Sequence, residues 1–208
     1  MDKQNIVPKQ KYTGVKKRTF DHLIHTAVTI LDEGNELTIT ELADKSKISR
    51  ATAYRYFPTQ SDLMSAVVNH SLEPILNWQS DEQDVGQKIN DFLSFAFTQM
   101  IKHEGSIRAA MRLSLQQWAT ARSTTLSDSE KFVRGNHKEV LYNLLQPLQS
   151  KLNDDLNNKL IYTLSIICGS QITVLKDIWN LDDSYIVSLS QWIINAVIKQ
   201  AKQDASEL

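Results

Sequence analysis

Residues 38–57 read TITELADKSKISRATAYRYF, and this stretch has the form of a helix-turn-helix. Thr38 and Glu41 have capping-box spacing, in which the Thr hydroxyl takes a backbone N–H three residues on and the Glu reaches back. A short helix follows, with Ile39, Leu42 and Ala43 on its inner face. Lys45-Ser46-Lys47 is polar and leads into a turn, where Ile48 is the lone apolar residue and plugs the angle between two helices. Ser49 is a good N-cap for the second helix. Pro58 drives the residue before it out of the helical region, so that helix ends near Phe57.

The second helix has a polar surface suited to DNA. Ala53 and Phe57 share its inner face, and Arg50, Ala51, Thr52, Tyr54, Arg55 and Tyr56 cover the rest. Arg50 and Ala51 lie in the first turn, where a recognition helix meets base edges. Arg50 offers a donor fork for guanine O6 and N7, and Ala51 and Thr52 offer methyls for thymine. Arg55, one turn along, is a second candidate reader. Tyr54 and Tyr56, with Thr38 and Ser49 at the two helix starts, bring hydroxyls for phosphate oxygens. Lys17, on the preceding helix, is a candidate for the same backbone. The pattern also fits a plain two-helix corner with a solvated basic face, because short helix-turn-helix patterns arise by chance.

The run SRATAYRYFPTQSDL, residues 49–63, resembles the recognition helix and following helix start of the tetracycline-repressor (TetR) family of bacterial transcriptional regulators. Lys47 stands where many relatives have Gly, Ala53 where many have Leu, and Gln60 where many have a phosphate-binding Lys. The resemblance implies an all-α chain with an N-terminal helix-turn-helix DNA-binding domain and a C-terminal helical ligand-binding and dimerisation domain. It further implies a homodimer joined through the last two long helices, a palindromic double-stranded operator and a small-molecule effector.

Composition agrees with one compact chain of one or two domains: 208 residues, 41% apolar and 23% charged. Residues 1–58 hold ten Lys/Arg against seven Asp/Glu, and the remainder thirteen against seventeen, so a basic end precedes an acidic body of net charge −1 overall. That polarity suits nucleic-acid binding through one end. Cys168 is the sole cysteine, which points to a reducing cytoplasm. No apolar run of a signal peptide opens the chain, and none approaches the roughly 18 residues of a membrane span.

Residues 1–15 read as a flexible arm carrying Lys9 and Lys11, and Lys16 begins the first helix, with Phe20, Leu23, Ile24, Ala27, Ile30 and Leu31 at helical spacing up to Gly34. Thr59 and Asp62 start a fourth helix, and Pro74 marks the expected edge between a DNA-binding domain, 1–74, and an effector and dimerisation domain, 75–208. Beyond it the apolar spacing predicts helices over 85–101 and 107–118, then one capped by Ser127 and Glu130 that carries Phe132 and Val133 and ends at Pro147. A long helix is predicted from Asp154 through Gln171 to Ile178, and a last one from Asp182. Those last two carry more apolar residues than one core can hide, and Gly169 and Ser170 allow close helix approach, so a partner chain is expected there.

No catalytic, metal or cofactor pattern emerges. His22 and His25 lie three apart without a third ligand, and His103 and Glu104 are sequence neighbours that do not face each other on a helix. For the effector, Phe95, Met111, Trp118 and Trp179 are candidate lining residues of an apolar cavity within 85–180. The leading reading is a repressor released by a small apolar effector. Two rivals stay open: an all-helical enzyme or binding protein retaining the fold, and a DNA-binding regulator controlled by a protein partner.

Overall fold

The computed structural model describes residues 12–122, 138–149, 151–169 and 171–206. Among them are ten helices and no strand, so the fold is all-α. The arm lysines Lys9 and Lys11, the cap Ser127 and Glu130 with Phe132 and Val133, and Ser170 lie outside the described residues.

The chain forms two compact units, and the division falls inside a helix, between Glu73 and Pro74. The first unit holds α1 (Gly14–Asp32), α2 (Ile39–Ser46), α3 (Arg50–Tyr56), most of α4 (Gln60–Leu76) and α6 (Glu104–Thr120). The second holds α5 (Val85–Lys102), α7 (Lys138–Gln149), α8 (Asp154–Ile167), α9 (Gln171–Asp177) and α10 (Asp183–Ser206). The units are thus not the consecutive stretches 1–74 and 75–208, because α6 packs with the first. Its Ala110 is buried in the same core as Leu23, Ile24, Leu42, Leu63 and Val67, with Ala109 and Leu113 against it. Gln117 donates to Ser61 Oγ at 2.9 Å. A Cβ on Gly105 would lie 2.3 Å from the Leu31 carbonyl oxygen, a spacing that only glycine permits.

Caps written in the sequence end and start these helices. α1 stops in a Schellman arrangement: Asn35 N–H reaches the Ile30 carbonyl and Gly34 N–H the Leu31 carbonyl, both at 3.0 Å. α4 opens on a reciprocal box, with Asp62 N–H to Thr59 Oγ1 at 3.1 Å and Thr59 N–H to Asp62 Oδ2 at 3.0 Å. Pro74 and Pro147 do not end α4 and α7. Only two helical residues follow each, so each proline removes one backbone hydrogen bond near the C-terminal end and little helix lies beyond it.

In the second unit α10 packs on α5 and α8, and α7 on α5 and α8. Ile186, Ser190, Ile194, Ile198 and Ala201 form the buried stripe of α10. Asn90 and Asn195 exchange amide hydrogen bonds at 3.2 and 3.3 Å, and Gln191 donates to Ser94 Oγ at 2.9 Å. The single helix expected from Asp154 to Ile178 is broken. Cys168 N–H bonds four residues back, to Leu164 at 2.8 Å, whereas Gly169 N–H bonds three back, to Ile166 at 3.2 Å. The tightened turn brings Gly169 so near Ser165 that a Cβ would sit 2.7 Å from its carbonyl oxygen. Gly169 thus lies just past the end of α8, in a turn too close for a side chain.

Candidate nucleic-acid interface

α3 has seven residues and buries only Ala53 among them, far too little to be stable alone. Its neighbours hold it. Thr38 Oγ1 accepts from Glu41 N–H at 3.0 Å to start α2, and Ser49 Oγ accepts from Thr52 N–H at 3.2 Å to start α3. Between them Ile48 N–H reaches the Ala43 carbonyl at 3.0 Å, and the Ile48 side chain packs on the first core. Phe57, fully buried, closes the far end.

The turn requires left-handed backbone at Lys47, with φ 57° and ψ 34°. That conformation costs a residue with a Cβ about 1–2 kcal/mol. Glycine would relieve it, but glycine gives up about 0.5–1 kcal/mol more on ordering. Lys47→Gly is therefore expected to stabilise the protein by about 0.5–1 kcal/mol, read as a higher urea midpoint with unchanged slope. A lower midpoint would mean that Lys47 is not strained.

Arg50, Ala51, Tyr54 and Arg55 are exposed on α3, and Thr52 is half-buried. Lys16, Lys17 and Arg18 are exposed on α1. Three of the basic side chains, Lys17, Arg50 and Arg55, already have partners. Lys17 Nζ meets Asp21 Oδ2 at 2.6 Å, Arg50 Nη2 meets Asp44 Oδ2 at 3.2 Å, and Arg55 Nη2 donates to Thr52 Oγ1 at 3.4 Å. All three contacts are exposed, and the two ion pairs among them add little to stability. Ser49 also donates its hydroxyl proton to Thr52 Oγ1 at 2.9 Å, so it serves the cap first. Thr38 uses an oxygen lone pair in its cap and keeps an O–H able to donate.

Tyr56 is placed differently from Tyr54. Its ring packs against Tyr12 and Phe20, with centroids 5.0 and 6.4 Å away, and its hydroxyl donates to the Lys16 carbonyl at 3.1 Å. In this arrangement it has no proton for a phosphate. It ties α3 to the start of α1, where Lys16, Lys17 and Arg18 stand. Gln60 also turns inward and donates to the Leu37 carbonyl at 2.6 Å, bracing the entry to α2 from α4.

The effector candidates are not gathered in one unit. Met111, half-buried, and Trp118, 56% exposed with Arg122 stacked 4.4 Å over its ring, lie on α6 in the first unit. Phe95, half-buried, and Trp179, 68% exposed, lie in the second. Two surface depressions in the second unit involve other residues: Tyr142, Asp154, Asn157, Asn158 and Ile161 line one, and Leu148, Lys151, Leu152, Lys202, Ala205 and Ser206 the other.

Burial pushes the Cys168 thiol up to about 12, so it carries no thiolate at neutral pH. His22 donates to the Ser46 carbonyl at 3.0 Å, and His25 packs edge-on against His70 at 5.5 Å. Glu104 pairs with Arg108 at 2.7 Å. Among the described residues no three His, Cys, Asp or Glu are grouped to hold a metal, and no helix is long and apolar enough to cross a membrane.

Known proteins share both the local motif and the whole fold. A family model described as the helix-turn-helix domain of resolvase matches residues 15–60. The chain is similar to the crystal structure of a TetR-family transcriptional regulator from Streptomyces coelicolor. The TM-score is 0.70 at 16% identity, over 94% of this chain and 86% of that one. No curated protein sequence matches the chain. The chain thus has a TetR-like all-helical fold with a helix-turn-helix at its N-terminus.

Proposed function

We propose that the chain is a DNA-binding transcriptional regulator that reads a palindromic operator as a homodimer through α3. The observation that carries this is the build of α3: it is capped, braced on one side by Ala53, and leaves Arg50, Ala51, Tyr54 and Arg55 exposed. A helix held this firmly with so little of it buried is a platform for contacts outside the chain. Arg50, and less directly Arg55, would meet base edges, with Ala51 and Thr52 beside thymine methyls. Tyr54, Thr38, Ser49 and Lys17 would hold phosphates. Tyr56 would act by fixing α3 against α1.

The homodimer is supported by apolar side chains left exposed in the second unit. Tyr162 and Ile166 on α8 are 61% and 66% exposed, and Trp192 on α10 is 69% exposed. Apolar surface of this kind marks interfaces. A dimer would carry two copies of α3 to major grooves about 34–36 Å apart, or a multiple of that. We further assign the regulator as a repressor released by a small apolar effector that binds within residues 85–180. The aromatic and methionine content of that stretch and the TetR-like fold support this. Release follows from linkage: an effector that favours misplaced recognition helices lowers DNA affinity, and DNA lowers effector affinity by the same factor. Such a protein would work in the cytoplasm.

The test is selection of an operator from random DNA, then titration of operator and scrambled duplexes at two salt concentrations. Arg50→Ala is expected to weaken operator binding by about 1–3 kcal/mol and to flatten preference at one position of each half-site, with scrambled DNA little changed. Equal loss on both duplexes would make Arg50 a charge and not a reader. Recovery of no palindromic site would overturn the operator reading.

A further inference from the structure

Asp44 stands on α2, six residues before Arg50. Six is neither of the spacings at which side chains meet on one helix. The turn at Lys47 brings them together, so that Arg50 Nη2 donates to Asp44 Oδ2 at 3.2 Å. The two side chains are 64% and 61% exposed. An ion pair this wet adds little to stability, so stability does not account for an acid beside the candidate reader. Charge attraction to DNA does not either, since a carboxylate there repels phosphate. Orientation does. The guanidinium is planar, with five N–H donors in a rigid fork. A carboxylate bound at one Nη restricts its rotation and leaves the other donors free to address guanine O6 and N7. The nearby groups do not displace it: Lys45 faces Glu33 at 3.8 Å, and Arg55 faces Thr52.

We propose that Asp44 is a positioning residue for Arg50, holding its guanidinium in the orientation that reads a base pair and disfavouring unrelated sequence by its charge. This rests on the reading of α3 as the base-reading helix.

The experiment is a cycle of Asp44→Ala, Arg50→Ala and the double variant in the full chain, with Asp44→Asn beside them. Each is titrated with the selected operator, with the operator changed at the base pair assigned to Arg50, and with scrambled duplex. Asp44→Ala is expected to lower the ratio of operator to changed-operator affinity about tenfold, within the range of one bidentate contact, while scrambled DNA binds more tightly. In the Arg50→Ala background the same substitution should leave that ratio unchanged. Asp44→Asn keeps an acceptor oxygen and should recover part of the discrimination. A merely structural or merely electrostatic role predicts otherwise: Asp44→Ala would move all three duplexes by one factor, with or without Arg50, and that result overturns the proposal. If the wild-type protein itself does not prefer operator over scrambled DNA, the reading of α3 has failed, and the assignment of Asp44 falls visibly with it.

Discussion

Gly105→Ala is expected to destabilise the protein by about 3 kcal/mol or more, the upper end for overpacking. The new Cβ would lie 2.3 Å from the Leu31 carbonyl oxygen, 2.6 Å from its carbon and 3.0 Å from the Asp32 nitrogen. These are backbone atoms at the end of α1, so no rotamer change relieves the clash. The same Leu31 carbonyl accepts the Gly34 N–H that closes α1, so a shift there also loosens the α1 cap. For a chain of about 200 residues this corresponds to a fall in Tm of about 6–12 °C. Gly86→Ala is the control: its nearest foreign atom is a side-chain oxygen at 3.2 Å, Asp84 Oδ1, which caps the Gln87 N–H at 2.8 Å and needs to yield only a few tenths of an ångström, so Tm should move far less than in Gly105→Ala. Differential scanning calorimetry of both variants reads this directly. A Gly105→Ala protein as stable as wild type would mean that α6 does not lie against α1 at this distance.

The second large effect concerns assembly. Ile166→Glu combined with Trp192→Glu is expected to raise the dimer dissociation constant about 10³-fold, roughly 4 kcal/mol for two carboxylates on each protomer that must be desolvated against an apolar partner. Both positions are exposed within the chain, at 66% and 69%, so the change should cost the protomer fold about 0.5 kcal/mol or less at each site. Ile194 and Ile198, at 0% and 5%, are core residues, and a charge there would unfold the protomer and say nothing of the dimer. Sedimentation velocity at micromolar concentration measures the outcome, with far-UV circular dichroism to verify that the variant keeps its helices. A double variant that still sediments as a dimer moves the interface elsewhere, and a monomeric wild type removes the homodimer.

What was legible in the sequence was local. Thr38, Ser49, Thr59 with Asp62, and Gly34 act through hydrogen bonds to backbone within about five residues, so spacing alone identifies them. The apolar period marks Leu23, Ile24, Ala27, Ile30 and Leu31 on α1, because helical geometry decides which face they share. The polar, basic surface of α3 follows in the same way. Tertiary structure decided what depends on distant residues. Gly105 approaches α1 across more than seventy positions, and this places α6 in the first unit. Tyr56 bonds Lys16 forty residues away and so differs from Tyr54, its near neighbour in sequence. Asp44 meets Arg50 only because Lys47 adopts a left-handed turn. The break at Gly169 interrupts an apolar pattern that runs unbroken through it, since periodicity records which faces are buried and not where the backbone bends. Capping and periodicity are encoded within one or two helical turns, whereas helix approach and side-chain pairing across elements are set by packing of the whole core.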